Sequence, residues 1–249
     1  MQVPSENIVV VLVEPQGAGN IGSVCRAMLN FGISDLRLVN PQVDHQSFEA
    51  KKMAVKAADL LSRARVYTAL DQALADCSVS FGTTRRFGRY REGLLHPDEA
   101  ARISCQLPAN ALAAFVFGRE DKGLLTEELD LCQHFITIPT DEGLPSMNLS
   151  HAVALCLYEV RKTRGALQGQ SHGRKRLAPN RELEALYQHM RGTLVEAGYL
   201  NPQNPDHILR TYRRIIGRAG LNEREVRVLR GLFNQIDVLL GNKMQRRAR

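Results

Sequence analysis

Residues 8–28, IVVVLVEPQGAGNIGSVCRAM, decide the architecture that this sequence predicts. The apolar run Ile8–Val13 has the length and composition of a strand buried on both faces of a sheet. After a turn that contains three glycines, apolar residues recur at helical spacing from Val24 to Phe31. The stretch therefore predicts a strand, a tight turn and a helix, which is how a parallel α/β domain begins.

The turn, GAGNIG at residues 17–22, has the G-x-G-x-x-G spacing of dinucleotide-binding proteins. Two features argue against a dinucleotide site. Pro15 and Gln16 separate the strand from the first glycine, whereas the dinucleotide fold places that glycine directly after the strand. The next predicted strand ends in Asn40-Pro41, where an acidic residue would hold the ribose hydroxyls.

The same turn contains residues that suit a different ligand. Asn20 lies at the mouth of the turn, Gly22 and Ser23 are small enough for close approach, and Arg26 follows one helical turn after Gly22. A helix N-terminus with a nearby guanidinium would suit a phosphate or a nucleic-acid backbone. An ordinary strand-to-helix turn explains this stretch equally well when it is taken alone.

The first 160 residues alternate short apolar runs with helical patterns. We predict strands at Ile8–Val13, Asp35–Val39, Arg65–Thr68, Ser78–Gly82, Leu112–Phe117 and Phe135–Ile138. We predict helices at Ile21–Asn30, Phe48–Ser62, Leu70–Asp76, Pro97–Cys105 and Asn148–Lys162. This alternation predicts an α/β fold, in which a parallel sheet carries helices on both faces.

The rest of the chain has a different pattern. Residues 165–179 lack apolar periodicity and are rich in Gly, Gln, Ser and Arg, so we predict a linker between a domain at 1–164 and a domain at 180–249. The second domain is predicted to be small and all-α, with helices at Arg181–Gly198, Pro205–Arg218 and Glu223–Leu240. Asn222 and Glu225 have the spacing of a capping box ahead of the last helix.

The charge of the chain is divided between the same two parts. Residues 1–160 contain 14 Lys and Arg against 19 Asp and Glu, a net charge of −5. Residues 161–249 contain 19 against 7, a net charge of +12. An excess of this size on one small domain favours a nucleic-acid surface over a merely solvated helical face.

Composition indicates an ordinary globular protein. No apolar run approaches the roughly 18 residues that a membrane span needs, and the N-terminus lacks the basic segment of a signal peptide, so we expect a cytoplasmic protein. The five cysteines are widely spread. The nearest approach to a ligand pair, Cys132 and His134, falls just ahead of a predicted strand, so we predict neither disulfides nor a metal site.

Two further stretches place polar residues at the carboxyl ends of strands, where open α/β sheets bind ligands. AFVFGREDKGLL, residues 114–125, runs from a strand into a charged cluster between two glycines. HFITIPTDEGLPSMNLSHAVAL, residues 134–155, ends a strand and enters a helix after Pro145. The alternatives are a solvated loop in the first stretch and a simple helix N-cap, Ser146 or Asn148, in the second.

Taken in order, the three stretches resemble the three motifs of the SPOUT superfamily of RNA methyltransferases, in the branch that methylates ribose 2′-hydroxyls. The similar motifs are N-x-G-S-x-x-R at Asn20–Arg26, F-G-R-E-x-x-G-L at Phe117–Leu124 and I-P…S-x-N-L-S at Ile138–Ser150. The motif spacing and the basic helical tail are most similar to members that act on tRNA. The resemblance covers nearly the whole chain and makes GAGNIG a coincidental match to the dinucleotide pattern.

The resemblance implies an α/β domain that ends in a deep trefoil knot, S-adenosylmethionine bound in that knot, and a homodimer in which two subunits build each active site. The cofactor-binding residues that it implies are Thr83, Thr84, Arg85, Gly118, Ile138, Ser146, Met147 and Asn148. The implied substrate is tRNA, methylated on the ribose of nucleotide 32, a cytidine or uridine in the anticodon loop. Neither a metal nor a membrane is implied.

The catalytic residues that the resemblance implies are Arg26, Asn20, Glu120, Ser146 and Asn148. Family proposals have Arg26 deprotonate the 2′-hydroxyl, either alone or with help from the RNA phosphate. A guanidinium is effectively always protonated, which favours a role for Arg26 in orienting the phosphate and stabilising negative charge. The other four residues would hold Arg26, ribose and methyl in register. An alternative role for Glu120, equally well supported, is that of the counter-ion of Arg26 or Arg119.

Two basic patches are candidates for RNA contact, one in the C-terminal part and one between Arg85 and Arg91, where Phe87 and Tyr90 could stack on an extruded base. The RNA-binding residues that we predict are Arg86, Arg89, Arg174, Lys175, Arg176, Arg213 and Arg214. Such contacts give salt-dependent affinity without reading sequence. The alternatives are a ribosomal-RNA ribose methyltransferase and a non-catalytic knotted RNA-binding protein. A dinucleotide-dependent oxidoreductase is remote.

Overall fold

The computed structural model describes residues 7–85, 93–108, 110–166 and 177–241 in full, and only the backbone of residues 167 and 242–247. The chain forms two compact units, Met1–Arg174 and Lys175–Arg249. The linker predicted at 165–179 and the domain bounds on either side of it stay predictions. In the described part of the chain, no helix has the length and apolar character needed to cross a membrane.

The first unit contains one six-stranded sheet in which each strand runs parallel to its neighbours. The strands are β1 Ile8–Val13, β2 Asp35–Val39, β3 Arg65–Tyr67, β4 Val79–Thr83, β5 Ala113–Phe117 and β6 His134–Ile136. Their order across the sheet is β3-β2-β1-β5-β4-β6. The parallel sheet and all six predicted strands are confirmed, with identical bounds for β1 and β2.

Seven α-helices connect and cover these strands in the described part of the first unit. They are α1 Ala18–Asn30, α2 Phe48–Ala54, α3 Ala58–Arg63, α4 Leu70–Leu74, α5 Pro97–Cys105, α6 Thr126–Asp130 and α7 Leu149–Leu167. The continuous helix predicted over Phe48–Ser62 was wrong. The backbone breaks at Val55, where φ is +53°, and a short 3₁₀ turn leads into α3. The segment contains neither Gly nor Pro, the usual sequence signals of a break.

The core of this unit lies on both faces of the two central strands. Part of β1 and β5 packs into one hydrophobic cluster that also contains Leu74 of α4 and Leu129 of α6. The other residues of β1 and β5 are equally buried, so the opposite face is covered as well. Val153 and Cys156, two apolar residues of α7, are buried, and this helix contacts α5 and α1 of the same unit.

A charged side chain lies within this apolar frame. Arg37, in the middle of β2, is 1% exposed. Its guanidinium donates to both carboxylate oxygens of Asp76, to Asp35 at 3.1 Å and to the carbonyl of Ala73 at 2.6 Å. A buried charge with one partner missing is costly, so this set of acceptors is what allows an arginine at that position.

The second unit contains three described helices, α8 Asn180–Glu196, α9 Asp206–Ala219 and α10 Glu223–Arg247. They share a core that includes Leu186, Tyr187, Leu209 and Phe233. The predicted capping box is confirmed, because the Glu225 N–H donates to Asn222 Oδ1 at 2.8 Å and the Asn222 N–H donates to Glu225 Oε2 at 2.9 Å.

The Arg37 ion pair yields a prediction about stability. Asp76→Asn removes a charged acceptor from a guanidinium that stays buried. We expect the free energy of unfolding to fall by about 1–2 kcal/mol, the lower part of the usual range, since Asp76 itself is half exposed. Urea denaturation at pH 7 measures the change. Arg102→Gln, which breaks the Arg102–Asp98 pair, is the control and should leave stability unchanged, because both of these side chains are at least half exposed.

The same substitution should have a pH-dependent effect. Burial acts to raise the pKa of Asp76, but hydrogen bonds and the charge of Arg37 outweigh it and hold that pKa below its ordinary value. A carboxyl of this kind stabilises the fold above its unfolded pKa of about 3.9 and loses that contribution as the pH falls through its folded-state pKa. The difference between wild type and Asp76→Asn should therefore shrink below about pH 4. A constant difference from pH 7 to pH 2 would contradict the ion pair.

Candidate active site

The three stretches singled out in the sequence meet at the carboxyl edge of the sheet. Glu120, after β5, accepts a hydrogen bond from Nδ2 of Asn20 at 2.9 Å. Asn148, just before α7, donates from its Nδ2 to Oδ1 of Asn20 at 2.9 Å. Its own Oδ1 accepts from the Ser150 hydroxyl at 2.7 Å and from the Ser150 N–H at 2.9 Å. One chain of hydrogen bonds thus joins Glu120, Asn20 and Asn148, one residue from each stretch.

The carboxylate of Glu120 also occupies the N-terminus of α1. It accepts from the backbone N–H of Gln16 at 2.9 Å and of Gly17, the N-cap residue, at 3.0 Å. This is the position in which a dinucleotide fold binds a pyrophosphate. In this protein a side chain supplies the negative charge, so the structure argues against both a dinucleotide and an RNA phosphate at this helix end.

The last glycine of GAGNIG has a packing role instead. A Cβ placed on Gly22 would lie 2.1 Å from the carbonyl oxygen of Ala50, because α1 and α2 approach closely at this point. No side chain fits there without moving a helix backbone. The spacing that imitates the dinucleotide pattern therefore reflects an N-cap at Gly17 and a helix contact at Gly22.

A cavity opens at the same edge of the sheet, beside this hydrogen-bond chain. It is lined by residues 83–85 after β4, by residues 117–124 at the end of β5 and beyond, and by residues of the β6 to α7 connection. The residues of that third segment are Ile136, Ile138, Thr140, Pro145, Ser146, Met147, Leu149 and Ala152. The cavity is thus formed where three strands end, as expected of a ligand site in an open parallel sheet.

Seven of the eight predicted cofactor residues line this cavity: Thr83, Thr84, Arg85, Gly118, Ile138, Ser146 and Met147. The eighth, Asn148, does not line it and is turned towards Asn20. A Cβ on Gly118 would lie 2.0 Å from the backbone carbon of Gly123, so the first loop residue after β5 has to be glycine. The 117–124 segment therefore folds tightly on itself at the cavity wall.

Arg119 does not pair with Glu120. Its guanidinium, 7% exposed, binds Glu14 and Glu128, while the Glu120 carboxylate binds the N-terminus of α1. The alternative in which Glu120 is the counter-ion of Arg119 is therefore wrong. The sequence patterns predict neither this role of Arg119 nor the participation of Glu14 and Glu128. One signal of a structural role was available for Glu128, which has the spacing of an N-terminal cap three residues after Leu125. In the structure it caps α6 by accepting from the Leu125 N–H at 2.7 Å.

Arg26 lies apart from the cavity. Its side chain is exposed on α1, and neither an ion pair nor a hydrogen bond engages it within the described part of the chain. Glu120 is consequently not its counter-ion in the single chain. Of the five predicted catalytic residues, the structure brings Asn20, Glu120 and Asn148 together, places Ser146 on the cavity wall and leaves Arg26 facing outward.

The predicted RNA-binding residues are described only in part. Arg86, Arg89, Arg174, Lys175 and Arg176 lie outside the described residues, as do Phe87 and Tyr90. The prediction for Arg213 needs correction, because its guanidinium forms a bidentate pair with Glu184 and lies 4.5 Å from the centre of the Tyr187 ring. Arg213 is therefore a core contact between α8 and α9. Arg214, half-buried beside it, is not engaged in this way.

The candidate metal pair is explained by packing. Cys132 is buried, and desolvation raises the pKa of its thiol to about 12, so it stays protonated near neutral pH. The ring of His134 stacks on Phe81 with 5.3 Å between centroids. Among the described residues, His, Cys, Asp and Glu side chains form no group of three that could hold a metal ion.

Comparison with known proteins defines the class. Residues 7–158 match the model of the SpoU rRNA Methylase family, and residues 181–249 match that of the C-terminal domain of tRNA methyltransferase TrmJ. The six-stranded sheet and the cavity described above lie within the first match. The chain therefore belongs to the SpoU methylase family.

Within that family, the chain is similar to TrmJ proteins along nearly its whole length. The tRNA (cytidine/uridine/adenosine-2′-O-)-methyltransferase TrmJ of Pseudomonas aeruginosa is 39% identical over 241 residues, 92% of this chain and 93% of that protein. The tRNA (cytidine/uridine-2′-O-)-methyltransferase TrmJ of Pectobacterium atrosepticum is 37% identical over 234 residues, which are 93% of this chain and 97% of that protein. The crystal structure of TrmJ from Z. mobilis superimposes with a TM-score of 0.79 at 33% identity, covering 92% of this chain and 98% of that chain.

The role of Glu120 at α1 can be tested by its effect on stability. Glu120→Gln keeps the shape of the side chain but replaces a charged acceptor that serves three donors. We expect the free energy of unfolding to fall by about 2 kcal/mol, since hydrogen bonds to a charged group are stronger and a helix N-terminus favours negative charge. Thermal and urea denaturation measure it. Glu142→Gln, an exposed loop change, is the control. Equal stability of the two variants would exclude the anchoring role.

Proposed function

We propose that this protein transfers the methyl group of S-adenosylmethionine to a ribose 2′-hydroxyl of tRNA, at nucleotide 32 of the anticodon loop. The observation that carries the proposal is the cavity at the carboxyl edge, which gathers seven of the residues expected to hold the cofactor. The tRNA 2′-O-methyltransferase activity named for the TrmJ relatives supports the substrate and the reaction. A tRNA substrate would place the protein in the cytoplasm.

The cavity fits an S-adenosylmethionine molecule in its chemistry. Thr83, Thr84 and Arg85 follow β4, and Gly118 allows the backbone of the 117–124 segment to line the wall without a side chain. Ile138, Ser146 and Met147 would complete the contacts. When bound, the sulfonium supplies an activated methyl group with a good leaving group. The protein then has to align the attacking oxygen and place charge.

Different residues at the edge of the cavity would perform the alignment and the placement of charge. Arg26 would bind the phosphate next to the target ribose and stabilise the negative charge that develops on the 2′-oxygen, since a guanidinium keeps its proton. The positions of the reacting groups would be held by the hydrogen-bond chain at the edge of the cavity, which is formed by Asn20, Glu120 and Asn148. Ser146, on the cavity wall, would contact the cofactor or the ribose.

We propose further that the active form is a homodimer and that Arg26 of one copy reaches the cavity of the other. Arg26 is exposed and does not line the cavity of its own chain. A side chain needed at the reacting atoms, yet outside the lining of its own chain's cavity, is explained if a second copy completes that site.

Mixed dimers test this arrangement. Arg26→Ala should reduce the rate of methyl transfer to unmodified tRNA transcripts by about a hundredfold or more, as losing a preorganised charge contact does. Gly118→Ala should remove cofactor binding. Unfolded together and refolded, the two inactive variants should regain about a quarter of wild-type activity, since half of random dimers are mixed and each holds one complete site. Absence of recovery, with both variants folded and dimeric, would place Arg26 in its own chain's site.

The same assay decides the substrate. Labelled methyl groups transferred to tRNA transcripts and mapped by nuclease digestion should lie on the ribose of nucleotide 32. Transfer to ribosomal-RNA fragments and not to tRNA would favour the alternative of a ribosomal-RNA ribose methyltransferase. Failure to bind adenosylhomocysteine would leave a non-catalytic RNA-binding protein.

The trefoil knot is part of the proposal. Its support lies at β6, which is held on two sides by the segment that follows β4. The Thr84 N–H donates to Ile136 O at 2.8 Å, and Leu95 exchanges hydrogen bonds with Phe135 O and the Thr137 N–H, at 2.8 and 2.9 Å. A crystal structure that traced residues 84–95 along a path leaving the β6 to α7 connection unthreaded would contradict the knot.

The C-terminal unit would supply affinity for tRNA. Its net positive charge predicts binding that weakens steeply as salt rises. Arg214→Ala should weaken tRNA binding uniformly and reduce the slope of log affinity against log salt by about one unit, the value for one lost phosphate contact. Fluorescence anisotropy with full-length protein, between about 50 and 300 mM salt, measures the slope.

Arg213→Ala is the contrasting variant. It should lower stability because Glu184 loses its partner, and an equal slope change in both would contradict the assignment.

A further inference from the structure

The 118–124 segment forms one wall of the cavity and is closed on itself at Arg119 and Gly123. The Gly123 N–H donates to the carbonyl of Arg119 at 2.9 Å, and Nη1 of Arg119 donates to the carbonyl of Gly123 at 3.1 Å. Gly123 has a φ of +68°, which a residue with a side chain rarely adopts. The shape of this wall therefore depends on one arginine and two glycines.

The guanidinium of Arg119 is held from two directions. Nε donates to Oε2 of Glu14 at 2.8 Å. Nη2 donates to Oε1 of Glu128 at 2.7 Å, and Nη1 to Oε2 of the same residue at 3.0 Å. The side chain is 7% exposed, so water does little to screen these contacts. The bond to Arg119 holds the pKa of Glu14 below its ordinary value.

The two carboxylates belong to the rigid frame of the domain. Glu14 directly follows β1, adopts a φ of +47°, and its N–H donates to Val39 O of β2 at 2.8 Å. Glu128 lies in α6 and caps that helix through the Leu125 N–H. Arg119 thus connects the cavity wall to the end of β1 on one side and to α6 on the other.

We propose that Arg119 is a positioning residue, which holds the 118–124 segment in the conformation that binds S-adenosylmethionine. This inference rests on the proposed function, because it takes the cavity as the cofactor site. The donors of the Arg119 guanidinium are engaged by two carboxylates and a backbone carbonyl of the same chain. Its effect is to order backbone groups before the cofactor arrives, which lowers the cost of binding. Only an arginine offers enough donors in a fixed planar fork to bind Glu14, Glu128 and Gly123 together.

The test compares Arg119→Lys with wild type in the full-length protein. The lysine keeps the positive charge and loses the bidentate pair and the bond to Gly123. We expect the Kd for S-adenosylhomocysteine, measured by isothermal titration calorimetry, to rise about tenfold, as expected when strong hydrogen bonds that order a site are lost. The KM for S-adenosylmethionine should rise in parallel, and the KM for tRNA should stay constant.

Two controls separate positioning from general destabilisation. Asp76→Asn weakens a buried ion pair outside the cavity lining and should reduce stability with no change in the Kd for S-adenosylhomocysteine. Amide hydrogen exchange gives a reading that needs no ligand: the Gly123 amide should exchange faster in Arg119→Lys, and the amides of β1 should not.

The outcomes are distinct. An Arg119→Lys protein with the wild-type Kd and wild-type protection of Gly123 overturns the proposal, as does an equal loss of affinity in Asp76→Asn. Wild-type protein that fails to bind S-adenosylhomocysteine overturns the proposed function, while the exchange data still decide whether Arg119 orders the segment. Where Arg119→Lys does not fold, Glu14→Gln serves instead. It removes one partner that is 33% exposed and should raise the Kd by a smaller factor, about threefold.

Discussion

The site depends on one carboxylate, that of Glu120. It accepts two backbone N–H groups at the start of α1 and the amide of Asn20, and Asn20 in turn binds Asn148. These contacts join segments that are 100 to 128 residues apart in sequence. A helix N-terminus carries partial positive charge and unsatisfied donors, so an internal carboxylate both stabilises α1 and fixes where it begins relative to the cavity.

The neighbouring residue, Arg119, donates hydrogen bonds to carboxylates, whereas Glu120 accepts them from backbone N–H groups at the N-terminus of α1. The Arg119 side chain faces Glu14 and Glu128, whereas that of Glu120 faces α1. The side chains of these two adjacent residues bind different partners, so the short sequence Gly118-Arg119-Glu120 is anchored to two different parts of the domain. The sequence suggested the charged cluster at residues 119–122 as a ligand site. Two of its members, Arg119 and Glu120, instead bind other parts of the domain. The cavity lining combines small polar residues, such as Thr83 and Ser146, with apolar residues, such as Ile138 and Met147.

Glycines in this protein illustrate how one residue type can serve unlike purposes. Gly22 is required by the contact between α1 and α2, and Gly118 by the fold of the cavity wall. Neither reflects the close approach of a pyrophosphate, although Gly22 completes a full G-x-G-x-x-G pattern. A spacing motif records that small residues are needed, and only the surrounding structure shows what approaches them.

Local patterns in the sequence were enough to predict the six strands, their parallel arrangement and the three helices described in the C-terminal unit. Strands buried on both faces leave continuous apolar runs, and helices leave a local period, so each can be identified within a dozen residues. The sequence also identified the three stretches that meet at the carboxyl edge of the sheet, two of which line the cavity, since all three directly follow strands.

The tertiary structure alone decided which charges pair. Arg119 binds Glu14, 105 residues away, rather than the adjacent Glu120, and Arg213 binds Glu184 and Tyr187 rather than facing solvent. It likewise decided that the helix beginning at Phe48 breaks at Val55. An ion pair or a close backbone contact is selected by distance in space and by burial. Neither quantity leaves a periodic trace in the local sequence, so these features depend on the folded arrangement of the whole domain.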